Sequence, residues 1–154
     1  MNRLLLVLPA LLLALSACGG DPKEDFVEDA SAICRQARTD VSSIPAPTSV
    51  AGFASFAEQA VTIGAKAQQD LAALTPPEED RAELQARVLD PFAAFVEEGR
   101  VFTDKLKAAG SDGAKISALV NELPTADDID LDYLRNYGLK DCADALMNLP
   151  GSRG

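Results

Sequence analysis

The amino-acid sequence predicts an all-α protein, a four-helix-like antiparallel bundle with short C-terminal helices. Three observations point there. Ala and Leu, both strong helix formers, dominate a 47% hydrophobic share, while aromatics are only 5% and Trp is absent. Apolar residues recur every three or four positions through most of the chain. Proline and glycine cut that pattern into segments of helical length. No stretch alternates apolar and polar residues for long enough to read as a strand.

A first helix is expected from Pro22, with Glu24 and Asp25 favourably placed against its N-terminal dipole. Phe26, Ala30, Ile33, Ala37, Val41 and Ile44 form its apolar stripe, and Pro45-Ala46-Pro47 ends it. A second helix opens at Thr48 or Ser49, either of which suits a cap. It carries Phe53, Phe56, Ala60, Ile63, Ala67, Leu71 and Leu74 inward and stops at Pro76-Pro77. Gly64 within it marks a close helix contact.

A third segment opens on the acids Glu78, Glu79 and Asp80 and runs through Leu84, Val88, Phe92, Phe95, Phe102 and Leu106 to Gly110. Pro91 predicts a kink or break near Leu89-Asp90. A shorter helix over Ala114 to Leu123 faces Ile116, Leu119 and Val120 inward. Another covers Asp127 to Tyr137, with Ile129, Tyr133 and Leu134 inward and Gly138 as its stop. Leu139 to Met147 adds a last turn, and the chain end from 149 to 154 reads as a disordered tail.

Charge and composition narrow the function. Lys and Arg number 14 against 24 Asp and Glu, a net charge of −10. Such a surface repels phosphate backbones, so no nucleic-acid partner is expected. The chain has no histidine. That removes the commonest general base, the Ser-His-Asp and Cys-His arrangements and most catalytic zinc sites. No glycine-rich phosphate loop or nucleophile elbow occurs. No cofactor and no metal are expected, and the protein reads as a non-enzyme.

The N-terminus gives the address. Arg3 precedes Leu4 to Leu15, an uncharged apolar run shorter than the roughly 20 residues of a spanning helix. A basic start followed by such a run reads as a secretory signal. An ordinary cleavage site needs two small residues in an A-x-A-like pattern, and bulky Leu15 stands at the first of them. Leu15-Ser16-Ala17-Cys18 resembles instead the lipobox of bacterial lipoproteins. The resemblance covers about the first twenty residues, and all four lipobox positions fit. It implies cleavage before Cys18 and a diacylglyceryl group on the Cys18 thiol. The protein would then lie on the extracytoplasmic face of the cell membrane, held by lipid. More than one chain is needed for firm attachment, since each buried methylene adds ~0.8 kcal/mol. The expected divisions are a signal peptide over 1–17, the lipidated Cys18 with a short tether over 18–22, and a bundle domain over 23–148.

Lipidation of Cys18 leaves Cys34 and Cys142. An exported location permits disulfides, so these two are expected to form the one bridge that pins the C-terminal segment to the first helix. The alternative is two buried free thiols. The absence of a CxxC pair argues against a redox-active role.

Three candidate sites remain. Phe53, Phe56, Phe92, Phe95 and Phe102 could line a pocket for a small apolar ligand, making the protein a carrier; the plainer reading is ordinary core. Asp128, Asp130 and Asp132 match the first three ligands of a calcium loop. Tyr133 and Leu139 stand where that loop requires Gly and Glu, so the pattern fails. Asp80, Glu83, Glu97, Glu98 and Asp104 supply carboxylates for a hydrolase, but the helical period spreads them over solvated faces. The reading favoured is a membrane-anchored module that binds a partner or supports an envelope assembly. Tyr133 and Tyr137, one helical turn apart, offer it a contact surface.

Overall fold

A computed structural model describes residues 21–147, and the regular structure of those residues is entirely helical. Cys18, the signal region and the expected tail over 149–154 lie outside the described residues.

Helix α1 spans Pro22–Ser43. Asp21 caps it, its carboxylate accepting from the Lys23 backbone N–H at 2.9 Å, and Glu24 and Asp25 occupy the first turn. The helix therefore reaches into the expected tether. Helix α2 spans Gly52–Ala73 and starts later than the Thr48 or Ser49 expected. Ser49 instead forms a tight turn, its carbonyl and hydroxyl oxygens both accepting from the Gly52 N–H.

The third segment does not break at Pro91. Helix α3 (Arg81–Leu84) passes through a π-helical turn (Gln85–Leu89) straight into α4 (Asp90–Ala109). The physical reason lies in one carbonyl. Proline has no N–H, so in a regular helix the Arg87 carbonyl would lose its partner. Here that carbonyl accepts from the backbone N–H of Asp130 at 3.2 Å, and the Asp90 N–H reaches back to Gln85 O. A π turn plus a tertiary hydrogen bond thus absorbs the proline.

Gly110, at φ +60°, closes α4. Asp112 caps α5 (Gly113–Leu119), accepting from Ala114 and Lys115 N–H, and a 3-10 turn (Val120–Glu122) follows. Helix α6 spans Leu131–Tyr137, not Asp127 to Tyr137. Residues 127–130 form the approach, and Asp130 is the cap, accepting from Tyr133 N–H at 2.8 Å. Gly138, at φ +112°, ends α6 in a Schellman arrangement, with Leu139 N–H bonded to Leu134 O at 2.8 Å and both leucines buried. Helix α7 (Lys140–Met147) completes the described chain.

Two apolar clusters hold these helices. The larger gathers Phe26, Leu71, Leu84, Val88, Phe92 and Leu134 from six helical segments. The smaller gathers Phe102, Leu106, Ala109 and Ile116 with Ala54 and Ala57 of α2. Helix α2 packs chiefly on α4, and α1 packs on α2 and α7. Of the glycines among the described residues, Gly99 is the most closely approached: an added Cβ would stand 2.9 Å from Val61 Cγ2. At Gly64, where a close contact was expected, the same construction leaves an ordinary 3.8 Å to Val96. Val120 was expected inward and is 50% exposed, because the 3-10 turn rotates it off the stripe.

Cys34 and Cys142 form a disulfide, with Cα atoms 4.9 Å apart and both residues buried. It ties α7 to α1 beside the Arg35–Asp141 ion pair at 2.7 Å.

Candidate functional site

The five phenylalanines proposed to line a pocket are not brought together. Phe92 and Phe95 belong to the larger cluster and Phe102 to the smaller one. Phe56 is half-buried, and Phe53, in the first turn of α2, is 43% exposed. The candidate carboxylates are also dispersed. Asp80 engages Lys23 and Tyr137, Glu97 pairs with Arg100, and Asp104 lies exposed on α4. No group of three or more acids and cysteines among the described residues is placed to hold a metal ion. Nor is any helix among them long and apolar enough to cross a membrane.

What the fold does assemble is an aromatic ladder at the N-terminal end of α1. Tyr133 and Tyr137 stack with ring centroids 5.7 Å apart and 26° between planes. Tyr137 and Phe26 meet edge to face, with ring centroids 6.2 Å apart. Lys23 Nζ lies 4.0 Å from the Tyr137 ring centre, and the Arg87 guanidinium lies 5.2 Å from that of Tyr133. Each of the two stacked rings thus has a cation of its own. The Tyr137 hydroxyl donates to Asp80 at 2.8 Å, and Lys23 Nζ lies 3.4 Å from the same carboxylate. Burial, then the acceptor Asp80, pushes the Tyr137 hydroxyl far above its ordinary value. Burial and the nearby Glu83 raise Tyr133 as well. Both phenols stay neutral donors at physiological pH.

Two open grooves flank the segment that leads from the 3-10 turn to α6. The first holds about 600 Å3 and runs along α4, floored by Ala94, Val101, Phe102, Leu123 and Pro124 and edged by Glu97, Glu98, Glu122 and Lys105. Of the five phenylalanines, Phe102 alone lines it. Lys105 is bound to Glu122 at 2.6 Å, an ion pair that bridges α4 to the 3-10 turn. The second holds about 560 Å3 and is lined by Asp127, Asp128, Asp130 and Asp132 with Ile129, Leu146 and Arg135 among others. Arg135 is paired with Asp132 at 3.1 Å. Both edges therefore carry an excess of negative charge.

Sequence reasoning anticipated the tyrosine pair but not its partners. Lys23, Asp80 and Arg87 arrive from distant segments, and nothing local marks them. The groove had a faint signal. Val101 is an apolar residue off the inward stripe of α4, and it is 50% exposed.

No family model, curated protein or solved structure matches the chain.

Proposed function

We propose that the protein is an extracytoplasmic lipoprotein, held to the cell membrane by lipid on Cys18, whose helical body is a non-enzymatic binding or envelope-assembly module. The Cys34–Cys142 disulfide carries the reading. Reducing cytoplasm disfavours such a bridge, and an exported chain keeps it. It also uses the two cysteines that a lipidated Cys18 leaves over.

The placement of α1 supports the anchor. Asp21 already caps the helix, so only Gly19 and Gly20 separate it from Cys18. Three residue steps of chain reach at most ~10 Å, which would hold the N-terminal end of α1 and the tyrosine ladder close to the bilayer. Charge makes covalent lipid necessary, because an anionic body gains nothing from an anionic leaflet.

We read the body as a four-helix-like antiparallel bundle. Glu58 pairs with Lys107, Val61 meets Gly99 and Gly64 meets Val96. Numbers rise along α2 as they fall along α4, which supports opposed helices. A carrier of apolar ligands has less support, since the five phenylalanines do not converge.

Metabolic labelling with a fatty acid tests the anchor. The wild-type chain is expected in the membrane fraction with label, and Cys18→Ser without it. An unlabelled wild-type chain in the soluble cytosolic fraction would overturn the reading.

A further inference from the structure

The first groove has an apolar floor and an acidic rim, and its only lysine is already spent. Glu122 holds Lys105 at 2.6 Å, so Lys105 is not presented to a ligand as an open cation. Glu97 is paired with Arg100 at 3.0 Å, and Glu98 has no ion pair among the described residues. Val101, half in water, lines the same groove with buried Phe102 and half-buried Leu123. An apolar groove with Val101 exposed, one unpaired carboxylate at Glu98 and a rim of net negative charge is complementary to a helix with an apolar face bordered by Lys or Arg.

The geometry points to this groove, between α4 and the segment Glu122–Thr125, as the docking site for a cationic amphipathic helix of a partner protein. This rests on the reading of the body as a binding module and names the chemistry of its partner. The apolar face of the incoming helix covers Val101, Phe102 and Leu123. Its cations meet Glu98 and the rim beyond. The adjoining aspartate-lined groove extends the same sign of charge and steers the approach. Helix α4 is braced from behind by α2, so the platform is rigid before the partner arrives.

The probe is a fluorescent synthetic helix with one Leu face and one Lys face, and a twin with Glu in place of Lys. Binding is followed by anisotropy on the full chain in non-ionic micelles, with empty micelles as blank. The Lys peptide is expected to bind and the Glu twin not. Val101→Asn and Glu98→Gln are each expected to weaken binding about tenfold, as substitutions at the centre of a contact do. Glu28→Gln, an equal charge change on exposed α1, is expected to leave it unchanged. Val101 and Glu98 are exposed, so these variants keep the fold, and circular dichroism checks that they do. The inference is overturned by no binding of the Lys peptide, by insensitivity to Val101→Asn, or by equal effects of Glu28→Gln and Glu98→Gln. The last result would mean diffuse attraction to an anionic body. Fatty-acid label on Cys18 is scored separately, so a groove that fails on a labelled chain sinks this inference and leaves the anchor standing.

Discussion

Arg87 and Asp130 meet twice: the Arg87 carbonyl accepts from the Asp130 backbone N–H at 3.2 Å, and the Arg87 guanidinium donates to Asp130 Oδ2 at 3.1 Å. The first contact satisfies the carbonyl that Pro91 leaves without a helical partner. The second orients a side chain whose other oxygen caps α6. One aspartate therefore joins the π turn to the start of the tyrosine helix. Asp130→Ala is expected to cost about 1–2 kcal/mol, most of it from the lost cap, because exposed ion pairs add little. Asp130→Asn keeps a capping oxygen and should lose less. Urea unfolding measures both, and equal losses would show that the ion pair dominates.

The two glycines between α2 and α4 should respond in opposite directions. Gly64→Ala meets only ordinary contact with Val96 and replaces a poor helix former, so stability should rise by about 0.5–1 kcal/mol. Gly99→Ala drives a Cβ to 2.9 Å from Val61 Cγ2, and relief requires a shift in a packed interface. A loss of about 1–3 kcal/mol is expected. The double variant Gly99→Ala with Val61→Ala should recover part of it in thermal melts.

Removing the bridge tests the staple. Cys34→Ser with Cys142→Ser frees a closed loop with a sequence separation of 108. Chain entropy predicts a loss of about 4–5 kcal/mol, less any strain relieved. Without the bridge, the Arg35–Asp141 pair and the apolar face of α7 still tie it to α1, and as the terminal described helix its amides should lose hydrogen-exchange protection first.

Tyr137 gives the stability an alkaline limit. Folding raises its pKa, so folding favours the protonated phenol. That contribution is complete below the ordinary tyrosine value of 10.0 and is lost as pH rises above it. Near neutrality Tyr137→Phe should cost about 0.5–1.5 kcal/mol through the lost bond to Asp80. The gap between variant and wild type should narrow above pH 10.0. Unfolding followed across that range decides it, and a constant gap would mean that Tyr137 ionises as freely in the fold as outside it.

Local chemistry carried the long helices. Pro22 with its acids, the stripe from Phe26 to Ile33 and the Pro76-Pro77 stop all describe α1 and α2 without help from the rest of the chain. The pairing of Cys34 with Cys142 was also legible, once Cys18 was assigned elsewhere. The failures are tertiary. Pro91 reads as a break because its local rule is sound, and it is overridden by an N–H from Asp130, far along the chain. The acids from Asp127 read as a first helical turn, but Arg87 holds Asp130 as the cap and the helix waits until Leu131. Phe53 and Val120 follow the apolar pattern, yet each sits at the end of its element, where no neighbour covers it. The ladder shows the same limit. Its tyrosines were visible as a pair, while the two cations and the carboxylate that complete it come from α1, the start of α3 and the π turn.

The account turns on three thiols with two fates. Intact mass of the chain isolated from its own membranes, with and without reductant, reads both. The expected species begins at Cys18, carries a diacylglyceryl mass and gains two hydrogens on reduction. A chain that still begins at Met1, unmodified and with three titratable thiols, would contradict it.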